Sequence, residues 1–229
     1  MSREEAQRTG TPDDGDAVER ICRMTRRIFS AARGSHGWDH TLRVVRLCEW
    51  IGPIERADLT VLRIAAYLHD IGRSRQDEAN GAVCHAAKGA QMAVKLLSPL
   101  NLNAEQRDNV LHCIRSHRYR STPHPATLEA RILFDADKLD AIGAVGVARA
   151  FLFAGELGAR LHCPEVAVDQ SEAYGPEDTG YREYMVKLRF VHQRMLTDTG
   201  RRLAAARHDF MARFFDRFLL EIDGRDGGL

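Results

Sequence analysis

Residues 57–70 (ADLTVLRIAAYLHD) are apolar nearly all round a helix, through Leu59, Val61, Leu62, Ile64, Ala65, Ala66, Tyr67 and Leu68. A helix with no wide polar face is normally central and buried. Yet this one ends in His69-Asp70, two groups that an apolar interior does not accept without partners. A fold for this chain must therefore surround the segment with other helices and satisfy the doublet at its end.

The rest of the sequence supplies the surrounding helices. Helical periodicity runs over residues 16–32, about 39–51, about 85–97, 104–117, 127–141, 144–154, 181–197 and 201–222. Gly52-Pro53 reads as the end of one helix and Gly72 as the stop of the central one. Residues 73–82 are polar and read as loop, and Pro123 and Pro125 break the chain. The stretch 155–180, with four glycines and two prolines, reads as a long loop, a candidate lid or partner surface. There is no repeat and no alternating strand pattern. The expectation is an all-α chain: a disordered lead over 1–15, one helical domain over 16–223, and a tail over 224–229. With 229 residues and 44 % hydrophobic content, the chain is large enough for a real core.

Composition excludes several roles. With 33 Lys+Arg against 32 Asp+Glu there is no global pull toward nucleic acid or an anionic membrane. No run approaches the roughly 20 apolar residues of a membrane span. The polar, acidic N-terminus lacks the features of a secretory signal. The five cysteines (Cys22, Cys48, Cys84, Cys113, Cys163) stand singly, as reduced thiols of a cytoplasmic protein would.

The chemistry lies in polar residues on apolar faces. His40 aligns with Val44, Leu47 and Ile51, His69 with Leu59, Leu62 and Ala66, and Asp137 with Leu133 and Ala141. Any one of them reads as a hydrogen-bonded core residue. Together with Asp70 they would need four separate sets of partners, and a bound divalent cation removes that demand. Two imidazoles and two carboxylates suit Mn, Fe, Co, Ni or Mg better than a structural zinc site. His117 shares an inner face with Val110, Cys113 and Ile114, whereas His112 is rotated to the surface. His85 aligns with Gly89, Met92 and Leu96, where glycine permits close approach. His85 and His117 either complete a second metal site or hydrogen-bond a phosphate, so one or two ions are expected. His124, His162, His192 and His208 have no supporting pattern and read as loop or surface. Met211, Phe214, Phe215 and Phe218 have helical spacing and read as core.

Three blocks, SHGWDHTLRVVRL with His40, AAYLHDIGR with the doublet, and LFDADKLDAIGAVGVARAF with Asp137, resemble the HD-domain superfamily of metal-dependent phosphohydrolases. The resemblance runs from about Ser35 to the C-terminal helix. It implies an all-α HD-type bundle with His40, His69, Asp70 and Asp137 as metal ligands. The tail KLRFVHQRMLTDTGRRLAAARHDFMARF is similar to that of a bacterial stand-alone subgroup that includes nucleotide pyrophosphohydrolases, which implies a small phosphorylated substrate, a nucleotide. CHAAKGAQMA resembles the His-x-x-x-Gly-Ala block of the two-metal branches, and His117 matches their later histidine. The Gly-Tyr-Pro signature of the cyclic-dinucleotide branch is absent.

A phosphohydrolase also needs cations around the phosphate. Arg43 lies one turn after His40, Arg73 follows the doublet, Lys88 follows His85 by three residues, and Lys138 follows Asp137. Arg118 and Arg120 form a basic cluster beside His117. Asp70, Arg43 and Lys138 are the expected catalytic residues, with Arg43, Arg73, Lys88, His117, Arg118 and Lys138 as substrate contacts. Asp140 either orients a ligand or caps the helix at Gly143-Ala144. Trp38, preceded by His36, either stacks on a base or packs the turn before the helix. Two other activities use the same scaffold: a di-iron oxygenase, and a nucleotide sensor without catalysis.

Overall fold

The structure, a computed structural model, describes residues 14–31, 37–79, 81–118 and 122–225. Residues 1–13 of the expected lead, residues 226–229 of the expected tail, His36 and Arg120 lie outside them.

The central helix forms as its composition demands. It is α3 (Leu59–Leu68), and Val61, Leu62, Ile64, Ala65, Ala66 and Leu68 are all buried. Each large aliphatic side chain buried there contributes roughly 1.5–3 kcal/mol. Asp58 opens the helix by accepting from the backbone N–H of Thr60 and Val61, at 2.9 and 3.1 Å. Around α3 pack α1 (Asp14–Ile28), α2 (Trp38–Glu55), α6 (Ala104–Ser116) and α7 (Leu128–Leu139). Its surface is thus shared among four neighbours, which is why no polar stripe survives in its sequence. Between α3 and α6 run α4 (Arg73–Glu78) and α5 (His85–Leu97). The chain continues into α8 (Gly143–Glu156), α9 (Gly180–Val186), a 3-10 stretch over Leu188–Arg194, and α10 (Asp198–Ile222). The described residues contain no strand.

Several boundaries differ from the expectation. Asp14 and Gly15 belong to α1 rather than to a lead. The second helix runs through Pro53 to Glu55 and ends at Arg56, whose φ of 63° turns the chain. Gly52 does not stop it. A Cβ there would meet Leu59 and Leu62 at 2.7 and 2.9 Å, so this glycine lets α3 close over α2. Gly72 likewise serves packing, since a Cβ would fall 2.3 Å from the His85 carbonyl and 2.6 Å from the Gly89 nitrogen. Residues 73–78 are helix rather than loop. None of them is buried, so there was no apolar stripe to detect. The region 181–197 is not one helix but α9 and the 3-10 stretch, broken at Lys187, and α10 starts at Asp198 under a Thr197 cap.

The start of α10 is bolted to α7. Asp135, fully buried, accepts from the N–H of Leu196 and Thr197 (2.8 Å each) and from the Thr197 hydroxyl (2.7 Å). Burial raises its pKa, and these donors pull the other way. Beyond this joint, α8, α9 and α10 share aromatic rings: Phe151, Tyr181, Tyr184, Phe214, Phe215 and Phe218. His162 packs on Tyr181 and Phe218, and His192 lies 3.8 Å from His208 between ring centroids, so these three are packing residues rather than bare surface. The loop between α8 and α9 is folded on itself. Arg182 donates to the Ser171 hydroxyl (2.6 Å) and to Asp178 (2.9 Å), and Arg160 N–H reaches the Pro176 carbonyl at 2.9 Å.

Candidate metal centre

Four imidazoles converge at the end of α3, each aimed by its own local structure. His69 and His117 occupy equivalent places, the first residue after α3 and after α6. Each turns Nδ1–H back to the carbonyl three residues earlier, Ala66 at 2.8 Å and Ile114 at 2.7 Å. His40, in the first turn of α2, donates from Nδ1 to Asp140 Oδ2 at 2.7 Å. His85, the first residue of α5, donates from Nδ1 to Gln76 Oε1 at 2.7 Å. A carbonyl or carboxylate oxygen can only accept, so each ring carries a proton on Nδ1, and in the neutral rings all four Nε2 atoms turn inward as lone pairs.

Those lone pairs face one another and two carboxylates. Nε2 of His40 lies 3.3 Å from Nε2 of His69 and 3.4 Å from Asp137 Oδ1. Nε2 of His85 lies 3.1 Å from Nε2 of His117. Asp70 stands between the pairs. Its Oδ2 is 3.8 Å from Nε2 of both His40 and His69, and its Oδ1 is 3.3 Å from His85 and 3.5 Å from His117. Two three-residue groups result, His40–His69–Asp137 and Asp70–His85–His117, each with its ligand atoms within 4.8 Å of one another. Acceptors crowded on acceptors repel unless a cation lies between them. The donor set therefore fits divalent metal, and it does so twice.

The electrostatics differ from ring to ring. Burial holds His69 neutral, with its pKa lowered to about 4, and His85 lower still, at about 2. Burial also works against charge on His40, but Asp137 and Asp140 outweigh it and its pKa is raised. Asp137 is lowered well below the usual carboxylate range: Lys138 and His40 overcome the effect of burial. Asp140 is lowered too, because His40, Arg43 and Arg149 outweigh its desolvation.

The sequence-predicted residues divide clearly. His40, His69, Asp70, His85, His117 and Asp137 are together, with Asp137 somewhat more open than the rest. Arg43 is not turned to the centre. Its Nε and Nη2 bind Asp140 at 2.6 and 3.1 Å. Asp140 does not cap α8, whose first turn follows Ile142 without a side-chain cap; it orients His40. Lys138 bonds Asp137 Oδ2 at 2.5 Å and the His117 carbonyl at 3.2 Å. Arg73 reaches Asp70 at 3.3 Å. Arg118 donates to Cys84 Sγ at 3.3 Å. Lys88 is half-buried, one turn from His85. Trp38 stacks on Tyr67 with centroids 6.1 Å apart, the packing role rather than a free base platform. His112 is tied down as well, its Nε2 accepting from Ala126 N–H at 2.9 Å. Sequence reasoning missed Gln76 and Arg149. Gln76 lies in an all-polar helix, and Arg149 reaches Asp140 from α8, at 2.7 Å from Nη1, through a contact only the fold creates.

A family model for the HD domain matches residues 37–142, the span that contains all six clustered residues. The Bacillus subtilis protein YpgQ is 32 % identical over 213 residues, covering 91 % of this chain and 95 % of its own length. The chain belongs to the HD-domain superfamily. Solved HD structures agree with it over nearly their whole length. The crystal structure of YpgQ in complex with ADP superposes with a TM-score of 0.70 at 29 % identity, covering 93 % of this chain and 99 % of that one. A predicted HD superfamily hydrolase from an uncultured Thermotogales bacterium gives 0.63 at 31 % identity, covering 89 % and 91 %. An HD-superfamily hydrolase from Bacillus thuringiensis shares the fold, with a TM-score of 0.73 at 24 % identity over 92 % and 99 %. This HD protein therefore has the hydrolase fold of its superfamily. HD domains bind divalent metals, and its two His/Asp groups could hold them. No helix among its described residues is long and apolar enough to cross a membrane.

Proposed function

We propose that this HD protein is a metal-dependent phosphohydrolase that cleaves a phosphoanhydride or phosphate-ester bond of a nucleotide. The observation that carries the reading is the inward convergence of four Nε2 lone pairs on the two oxygens of Asp70. His40, His69 and Asp137, with Asp70 Oδ2, would hold one divalent ion; His85 and His117, with Asp70 Oδ1, would hold a second. Mn, Co, Ni, Fe or Mg suits the mixed nitrogen and oxygen set. Such an ion supplies Lewis acidity, which acidifies a water and polarises a phosphoryl oxygen.

The chain's own residues supply the rest. Lys138 keeps Asp137 ionised and brings positive charge to the same edge of the site. Arg73, Lys88 and Arg118 border the second group and provide cations for phosphate oxygens. We assign Arg43 to positioning: through Asp140 it fixes the His40 ring, so it acts on the metal site rather than on phosphate. A nucleotide substrate is supported by the ADP complex of YpgQ, which spans 93 % of this chain. The five free cysteines suit a reducing compartment.

The test is phosphate and pyrophosphate release from a nucleotide panel. Metal-stripped protein is resupplied with each of the five metals, in air and without oxygen. Release that needs metal and ignores oxygen is the expected result, and the product identifies the bond cut. Oxygen consumption without release would replace this reading with a di-iron oxygenase. Tight nucleotide binding without turnover under every metal would replace it with a sensor.

A further inference from the structure

Three of the four imidazoles are anchored by groups that cannot change what they offer. His69 and His117 are held by backbone carbonyls, and His40 by the Asp140 carboxylate, which Arg43 and Arg149 clamp in turn. The fourth is different. His85 is held by the neutral side-chain amide of Gln76. Two donors of His85 converge on the same Gln76 oxygen, Nδ1 at 2.7 Å and the backbone N–H at 3.4 Å. A backbone N–H can only donate, so the amide must present its oxygen here, and Nδ1 must carry the proton. Turned over, the amide would offer NH2, draw the proton to Nε2, and remove the lone pair that faces Asp70 and His117.

Gln76 lies on α4, a helix with no buried residue. Its half-buried residues Arg73 and Gln76, three apart on one face, both reach the site, Arg73 to Asp70 and Gln76 to His85.

We infer that Gln76 is a positioning residue that sets the His85 tautomer and thereby makes the Asp70–His85–His117 group the weaker, separately adjustable metal site. The inference rests on the metal-centre reading above. Asp70 faces both groups, but the first has a carboxylate of its own, Asp137, and a charged anchor for His40. The second has only neutral anchors. Its affinity therefore depends on one amide orientation on a lightly attached helix.

The experiment is metal stoichiometry and stepwise affinity by calorimetry and elemental analysis, using Mn(II) and full-length protein: wild type, Gln76→Leu and Gln76→Glu. Gln76 packs no core, and circular dichroism with thermal melting checks that both variants fold. Wild type should bind two ions in distinct steps. Gln76→Leu removes the acceptor and should weaken the second step about 10- to 100-fold while leaving the first unchanged. Gln76→Glu keeps an acceptor oxygen and should restore two-step binding, which a purely structural loss would not allow. Unchanged affinities in Gln76→Leu, loss of both steps together, failure of Gln76→Glu to rescue, or a single ion in wild type would each overturn the inference. Wild type that binds no divalent ion would overturn the metal-centre reading itself.

Discussion

Asp70 and Phe215 are each 1 % exposed, one at the end of α3 and the other in the middle of α10, and they are buried for opposite reasons. Phe215 lies among rings, 4.3 Å from Tyr184 and 5.1 Å from Phe214 between centroids, and gains from leaving water without needing any particular partner. Asp70 lies among four imidazoles, with Arg73 as a cationic contact at 3.3 Å, and loses by leaving water unless charge meets it. The C-terminal helices are thus stabilised by area, and the α2–α7 region holds a group of candidate ligands that a cation would stabilise. Stability and function are separable to that extent, and four experiments probe the separation.

The largest expected effect is from Asp70→Ala. It removes the carboxylate that faces all four imidazoles, so metal binding and metal-dependent phosphate release should disappear while far-UV circular dichroism stays close to wild type. A chelator that lowers the melting temperature of wild type should leave this variant unmoved. A variant that retains metal and turnover would break the assignment of Asp70.

Phe215→Ala is the mirror experiment. It should destabilise the fold by roughly 3–5 kcal/mol in urea unfolding, the range for a buried aromatic cut to alanine. Metal stoichiometry of the folded fraction should not change. Loss of metal without loss of stability would show that the two regions are not separable in this way.

Asp140→Asn sharpens the comparison within the polar region. An amide can still accept from His40, but it no longer answers the charges of Arg43 and Arg149. Affinity for the first ion should fall about 10- to 100-fold, with the second group less affected.

The smallest effect is on pH dependence, in metal-free protein. His69 titrates at about 4 in the fold, against about 6.5 in the unfolded chain. Between those values the unfolded state holds the extra proton, so His69 makes stability fall as pH drops from about 6.5 toward 4, by at most about 1.4 kcal/mol per pH unit. His85 acts in the same sense. His40, whose pKa is raised, acts in the opposite sense: its contribution is present at low pH and is lost as pH rises through its folded value. Urea midpoints from pH 7.5 to 4.5 should show a shallower acid loss in His69→Gln than in wild type, and a wild-type slope in Phe215→Ala.

What the sequence made legible follows the same division. His40, His69, His85 and His117 stood out because each interrupts an apolar helix face, a polar interruption carrying a large energetic signal, and Asp70 stood out as the neighbour of His69. Asp137 was found on the same logic, though its side chain keeps 16 % exposure at the rim of the site. Arg43 was located without its partner, since helix phase places it beside His40 without saying that Asp140, 97 residues later, would take its guanidinium. Asp140 itself was left between orienting and capping for the same reason. Gln76 and α4 gave no signal because a six-residue polar helix has no periodicity. Asp135 was passed over inside a quoted motif, since its partners, Leu196 and Thr197, come from a turn that the periodicity had assigned to helix.

That last joint has a mechanical consequence. Asp135 and Asp137 are two residues apart on α7, about 200° around its axis, so one helix carries both the joint to α10 and a ligand candidate. The joint is tight: a Cβ on Gly200 would fall 2.2 Å from Asp135 Oδ2. A Gly200→Ala substitution, outside the metal centre, would press on the carboxylate that holds α10 to α7. The alignment of α7, and with it the backbone that bears Asp137, is thus fixed in part from Leu196 and Thr197, 61 and 62 residues further along the chain.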